Sequence, residues 1–198
     1  MKRRTFDKIV TVMGAGLTVF LFIVAGLLNF GYHFADKNVS DQLVAQKVVF
    51  PEADSGALMA LPDADQKAML KYAGQTLSNG DMANTYAMHY ISVHMNGIAG
   101  GKVYEEVSAE YLVKSAQLRA NPNDATLKDE VAKLEAQRQS LFMGNTLKGL
   151  LGFSYAFWQF GQIAKLSAGV ALVGGILMLF LTIAGYLHLR RTDESATI

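Results

Sequence analysis

The residues best suited to chemistry lie in "MHYISVHMNGIAGGKVYEEV", residues 88–107. His89 and His94 stand there beside Met88 and Met95, and imidazole and thioether groups are ligands for copper and related ions. On a regular α-helix, two residues five apart point about 140° away from each other. Ligands that share an ion on a helix lie three or four apart instead. The spacing therefore favours histidines that pack inside a helical domain, and a metal site is the alternative.

The Gly-Gly-Lys sequence that follows resembles the end of a phosphate-binding loop. That loop requires a glycine five residues before the Gly-Lys pair and a Ser or Thr after it. Here Asn96 and Val103 occupy those positions. We expect Gly100 and Gly101 to end a helix, because glycine tolerates the left-handed conformation found at helix C-termini.

Elsewhere the sequence contains no nucleophile at a spacing that pairs it with a base, so we predict a protein that is not an enzyme. The chain has no cysteine, which excludes disulfides and thiol chemistry. We predict no catalytic residue, no cofactor-binding residue and no cofactor of its own.

Two long apolar segments dominate the chain. Ile9–Ala35 contains 27 residues and Leu166–Leu187 contains 22, and neither has an Asp, Glu, Lys or Arg. About 20 such residues are enough for a helix to cross the hydrocarbon core. We predict transmembrane helices over 9–34 and 165–188.

The basic residues beside these segments predict their orientation in the cell membrane. Positive charge favours the cytoplasmic side, and it precedes the first segment and follows the second: Lys2, Arg3, Arg4, Lys8, Arg190 and Arg191. The ends 1–8 and 189–198 are therefore predicted to be cytoplasmic and residues 35–164 extracytoplasmic. This middle part has 14 acidic and 11 basic residues, which argues against nucleic acid as a partner.

The first segment could also be a secretory signal, because secretory signals and N-terminal membrane anchors both begin with basic residues. Its apolar run is long for a signal, and no small-x-small cleavage site follows it in "NFGYHFAD". We interpret it as a retained membrane anchor.

Residues at the ends and on the faces of the spans suggest how they are held. Aromatic and lysine side chains favour the membrane–water interface, and the predicted anchors are Tyr32, Tyr155, Trp158 and Lys165. Small residues four apart let helices approach closely, and the predicted partner-interface residues are Gly14, Thr18, Ser167, Ala171 and Gly175.

The middle part is predicted to be a cap of three or four helices, which makes the chain an all-α membrane protein. We expect a short strand at "QKVVF" and helices over 63–78, 81–98 and 108–120. Asp63 or Asp65 would cap the first and Asp81 the second. A long helix should begin near Asp124 or Ala125 and run towards the second span, with breaks at Gly149 or Gly152.

One pattern resembles a known family. His94, Gly100, Gly101, Lys102, Tyr104 and Glu106, together with "VSDQLVAQKVVFPEAD" at 39–54, resemble actinobacterial two-span membrane proteins. This family resembles the association factor of the cytochrome bcc–aa₃ respiratory supercomplex. The resemblance implies an accessory subunit without catalysis, bound to lipids and to larger cytochrome bcc or aa₃ oxidase subunits. The haem and copper would then belong to those partners.

Two other functions stay open from the sequence. One is a membrane-anchored metal-binding protein or metalloenzyme that uses His89 and His94. The other is an extracytoplasmic ligand-binding or sensor protein, for which the short cytoplasmic ends leave little room for an output domain.

Overall fold

The computed structural model describes residues 2–192 and is all-α, as predicted. Helix α1 spans Arg3–Ala45 and helix α7 spans Ala125–Arg191. The shorter helices between them are α2 Gly56–Met59, α3 Asp63–Leu70, α4 Gly80–Tyr86, a π-helical turn Ala87–Ile91, α5 Ser92–Ile98 and α6 Tyr104–Ala120.

The chain divides into two compact units. We call Met1–Lys37 with Gln159–Ile198 the helix-pair unit, and Asn38–Trp158 the middle unit. Each is described separately below.

Small residues allow α1 and α7 to pack closely in the helix-pair unit. A Cβ added to Gly14 would lie 2.8 Å from Thr182 Oγ1, and one added to Gly175 would lie 3.0 Å from a ring carbon of Phe22. Thr18 is buried, and its hydroxyl donates to the Gly14 carbonyl 2.8 Å away. Glycine and threonine therefore serve this contact as they do between membrane helices.

The outward surface of the same unit is apolar. In the most apolar 18-residue windows of α1 and α7, only 11% and 17% of the residues are buried. The core helix of a water-soluble protein buries most of such a window. These are two helices long and apolar enough to cross a membrane.

The middle unit has its own hydrophobic core. Phe50, Leu58, Met69 and Leu77 are at most 1% exposed. Full burial of such a side chain contributes about 1.5–3 kcal/mol. Tyr72, Tyr86 and Trp158 are among the partly buried residues packed around this cluster.

The segment predicted as a strand makes one isolated bridge instead. Val49 pairs antiparallel with Thr76, and the Leu77 amide donates to the Val48 carbonyl at 2.9 Å. No strand forms among residues 2–192, because Lys47 turns the chain with a positive φ of 54° and Pro51, which lacks an amide hydrogen, follows Phe50.

Several predicted helix boundaries are wrong. Helix α3 ends at Leu70, not at 78, because the turn after it places Gly74 at a φ of 69°. Helix α4 is capped by Asn79, whose side chain accepts from the Met82 amide, and not by Asp81. Helix α6 begins at Tyr104, four residues early.

The acidic N-cap predicted for α3 is wrong, whereas the predicted start of the long helix α7 near Asp124 or Ala125 is confirmed. Pro62 takes the N-cap position of α3 without a side-chain bond, so Asp63 and Asp65 lie in its first turn. Asp124 does cap α7 by accepting from the Leu127 amide at 3.0 Å. The long helix then continues to Arg191 without the predicted glycine breaks.

Candidate functional site

Three of the four metal-ligand candidates contact different groups of the protein, and the remaining one, Met88, lies at the surface. His89 Nδ1 lies 2.7 Å from an oxygen of Asp65, and His94 Nδ1 lies 2.8 Å from the Tyr90 carbonyl oxygen. His89 is thus partly buried in the middle unit, whereas His94 is exposed and lies against the Tyr90 ring at 4.3 Å between ring centroids. The expectation that both histidines pack inside the helical domain is wrong for His94.

Met95, the fourth candidate, packs against helix α7. A Cβ added to Gly144 would lie 2.6 Å from the Met95 sulfur, so the thioether occupies the space that the glycine leaves. Across residues 2–192, no three His, Cys, Asp or Glu side chains are grouped closely enough to hold an ion.

A π-helical turn contains His89, in a stretch where we predicted one regular α-helix. Its defining bond joins the Ser92 amide to the Ala87 carbonyl, five residues back, and the Ser92 hydroxyl donates to that same oxygen at 2.9 Å. Such turns are frequent at functional sites. Here the turn places His89 against Asp65 of α3.

The Gly-Gly-Lys motif joins α5 to α6. Gly100 and Gly101 have φ values of 63° and 86°, and the Gly101 amide donates to the Asn96 carbonyl at 2.8 Å. This is the left-handed helix ending that the glycines predicted. The Lys102 ammonium lies 2.6 Å from Glu110.

Glu106 caps the start of α6, on the other side of this connection. Its carboxylate accepts from the Val103 amide at 2.8 Å, which satisfies a free donor at the start of α6. The Gly-Gly-Lys residues and Glu106, which carry part of the family resemblance, thus form the connection between α5 and α6.

Asp81 lies in a small polar cluster on the middle unit. The Tyr72 hydroxyl donates to its Oδ2 atom, and the Lys71 ammonium lies 3.0 Å from the same atom. These hydrogen bonds, that of Tyr72 first, lower the pKa of Asp81. Burial and the bond to Asp81 raise the pKa of Tyr72.

The predicted anchors make contacts within their own units. In the helix-pair unit the Lys165 ammonium lies 4.9 Å from the centre of the Tyr32 ring. In the middle unit Tyr155 stacks near Trp158, with ring centroids 6.5 Å apart. Trp158 also covers Gly80, where an added Cβ would lie 2.5 Å from the Trp158 Cβ. The tryptophan is therefore part of the packing of the middle unit.

The predicted partner-interface residues lie mostly at the α1–α7 contact. Gly14, Thr18 and Gly175 are used there, and Ser167 and Ala171 are half-buried on the same four-residue spacing. The small-residue stripes thus pack the two helices of this chain against each other.

An apolar surface on α7 was not anticipated from the sequence. Six large side chains of the middle unit, each 44–77% exposed, follow one another along about four turns; we call them the α7 apolar face: Phe142, Met143, Leu147, Leu150, Phe153 and Phe157. Exposed apolar side chains concentrated in this way mark interaction surfaces.

Four of the six residues of this face, Leu147, Leu150, Phe153 and Phe157, also line a groove of about 680 Å³. Its aliphatic and aromatic lining comes from α1, α4, α7 and the bridge segments: Val39, Leu43, Val48, Leu77, Tyr86, Leu147, Leu150, Leu151, Phe153 and Phe157. Its polar lining residues are Asn38, Gln42, Gln46 and Ser154, so no lining residue is charged. Asn38 and Gln42 of α1 and Gln46, directly after it, are spaced four residues apart, and this spacing was the one sequence signal for the groove.

Comparison with known proteins identifies no relative: no family model, no curated sequence and no solved structure matches the chain.

Proposed function

We propose that the chain is a non-catalytic accessory subunit of a membrane complex, anchored by two spans and bound to larger subunits through its middle unit. In this proposal the basic ends are cytoplasmic and residues 35–164 form the extracytoplasmic cap. The family resemblance supports a respiratory complex of the cytochrome bcc–aa₃ type as the partner.

Anchoring is supported by the exposed apolar surface of the helix-pair unit. Its small residues are used where α1 and α7 meet, while the bulky residues around them are exposed, such as Phe20 at 60% and Leu181 at 65%. Lipid tails accommodate such a surface, whereas water does not.

The observation that carries the partner-binding proposal is the α7 apolar face. It lies outside the predicted spans, and two of its residues, Phe142 and Met143, lie outside the groove as well. Phe153 is 77% exposed and Phe142 is 59% exposed, and aromatic residues are enriched at protein interfaces. A larger subunit that covers this face would remove it from water.

The test is co-purification in mild detergent with a matched pair of variants. Phe142→Gln/Met143→Gln makes one end of the α7 apolar face polar without touching the groove. Leu112→Gln/Val113→Gln changes two equally exposed residues of α6. We expect partner subunits to be depleted about tenfold or more from the first variant, since interface anchors contribute 2 kcal/mol or more, and retained by the second.

Equal recovery of partner subunits with both variants would exclude the α7 apolar face as the binding surface. Recovery of the wild-type protein alone from native membranes would overturn the accessory-subunit proposal as a whole.

A further inference from the structure

We propose that the groove of the middle unit binds one uncharged diacyl lipid, with an apolar tail against its leucines and its ester or hydroxyl oxygens at Gln42 of α1 and Gln46, which directly follows α1. The inference rests on the proposed membrane anchoring and adds a ligand that neither the motif nor the resemblance suggests.

The size and floor of the groove fit a chain-like apolar ligand. Its volume of about 680 Å³ lies within the range of small-molecule sites in proteins, roughly 300–1,000 Å³. Leu43 and Leu77, at 4% and 1% exposure, are held in the core and give the groove a fixed floor. An ordered apolar floor binds a tail without reorganisation of the protein.

The polar lining selects against a charged head. With no ammonium or guanidinium group in the lining, a phosphate bound there would gain no countercharge and no charge-assisted hydrogen bond from a cation. Gln42 and Gln46 are exposed. Gln42 lies in the last turn of α1, and Gln46 directly follows that helix. Each carries an amide that donates two hydrogen bonds, which suits the ester carbonyl oxygens of an uncharged glycerolipid.

The position of the groove residues in the sequence favours a ligand that comes from the membrane. On α1 the lining begins at Asn38, three residues after the uncharged stretch that ends at Ala35. On α7 it ends at Phe157, nine residues before the stretch that begins at Leu166. Both walls are thus built from helices that also carry a predicted span.

The experiment uses the full chain in phosphatidylcholine vesicles that contain a photoactivatable diacylglycerol, and maps the labelled peptides by mass spectrometry. We expect labels within 38–48 and 147–157 as well as within the spans. Phosphatidic acid with the same photoactivatable tails should label the spans equally and the groove about tenfold less.

The matched variants are Gln42→Glu/Gln46→Glu and Gln117→Glu. A glutamate side chain accepts hydrogen bonds but does not donate when ionised. Loss of two donors should lower groove labelling by diacylglycerol about tenfold. Gln117 is exposed on α6 outside the groove, and its variant should label as the wild type does.

Three results would overturn the proposal. Labels confined to the spans would show an inserted protein with an empty groove, which leaves the anchoring proposal standing. Selection of an uncharged head by the glutamines would be excluded if phosphatidic acid labelled the groove as strongly as diacylglycerol does. It would also be excluded if diacylglycerol labelled the groove of Gln42→Glu/Gln46→Glu as strongly as that of the wild type. Labels absent even from the spans would remove the membrane anchor and the lipid site together.

Discussion

At the scale of single residues, Gly80 leaves the space that the Trp158 side chain occupies. The Trp158 ring lies over Gly80, and an added methyl group would come within 2.5 Å of the Trp158 Cβ and 2.7 Å of its Cγ. These atoms are near the backbone and cannot move away by rotation of a flexible chain.

We therefore expect Gly80→Ala to destabilise the protein by about 1–3 kcal/mol, the usual cost of overpacking. Gly149→Ala is the control, since its Cβ meets nothing within 4 Å and alanine favours a helix interior by about 0.5–1 kcal/mol. Thermal unfolding in detergent, followed by circular dichroism, measures both. A Gly80→Ala variant as stable as the wild type would contradict the packing of Trp158.

Asp81 leads to a pH prediction at the same scale. Hydrogen bonds from Tyr72 and Lys71 lower its pKa in the folded state below the ordinary value of 3.8. A carboxylate of this kind stabilises the fold above 3.8, and its contribution is lost as the pH falls through the lowered folded value.

Wild-type protein should thus unfold at a higher temperature than Asp81→Asn near neutral pH, and the difference should vanish in strong acid. Melting temperatures measured from pH 7 down to pH 2 test this, with Asp54→Asn, which alters an exposed loop carboxylate, as the control. A difference between wild type and Asp81→Asn that does not change with pH would show that ionisation of Asp81 is unimportant.

At the scale of helices, the contact between α1 and α7 depends on side-chain size at a few positions. Gly14 faces Thr182 at a distance too short for a Cβ, whereas Gly16, two residues later, has nothing within 4 Å. The same substitution can therefore be made at Gly14, on the contact face, and at Gly16, away from it.

Gly14→Val should lower the melting temperature of the detergent-solubilised protein, with a loss of about 1–3 kcal/mol from overpacking. Gly16→Val should have little effect beyond the small helix-propensity difference between the two residues. If both variants melt alike, the helices do not meet at Gly14.

Helices of this chain were predictable where a local pattern specifies them. Twenty-seven uncharged residues at Ile9–Ala35 identified the apolar part of α1, and Asp124 marked the start of α7. The boundary at Leu70 was not predictable, because the turn after α3 forms through backbone bonds to Phe50 and Pro51, which are distant in sequence.

The site was less predictable than the helices. Both histidines were expected to pack inside the domain, but His94 is exposed and His89 is only partly buried. The hydrogen-bond partner of His89, Asp65, is 24 residues away, and the π-helical turn that contains His89 has no sequence signature. The groove joins residues near 40, 77 and 150. Only tertiary packing brings such segments together.

At the scale of the whole molecule, the proposed role unites two apolar surfaces. Lipid would cover the outward faces of the helix-pair unit, and a larger subunit would cover the α7 apolar face of the middle unit. The polar clusters around Asp81 and Lys102 join neighbouring segments of the middle unit.

The most direct test of this account is affinity purification of the wild-type chain from native membranes in mild detergent, with a visible absorption spectrum of the eluate and mass spectrometry of its subunits. The account predicts haem absorption bands together with cytochrome subunits in fixed ratio to the chain. A colourless eluate that contains this chain alone would contradict it.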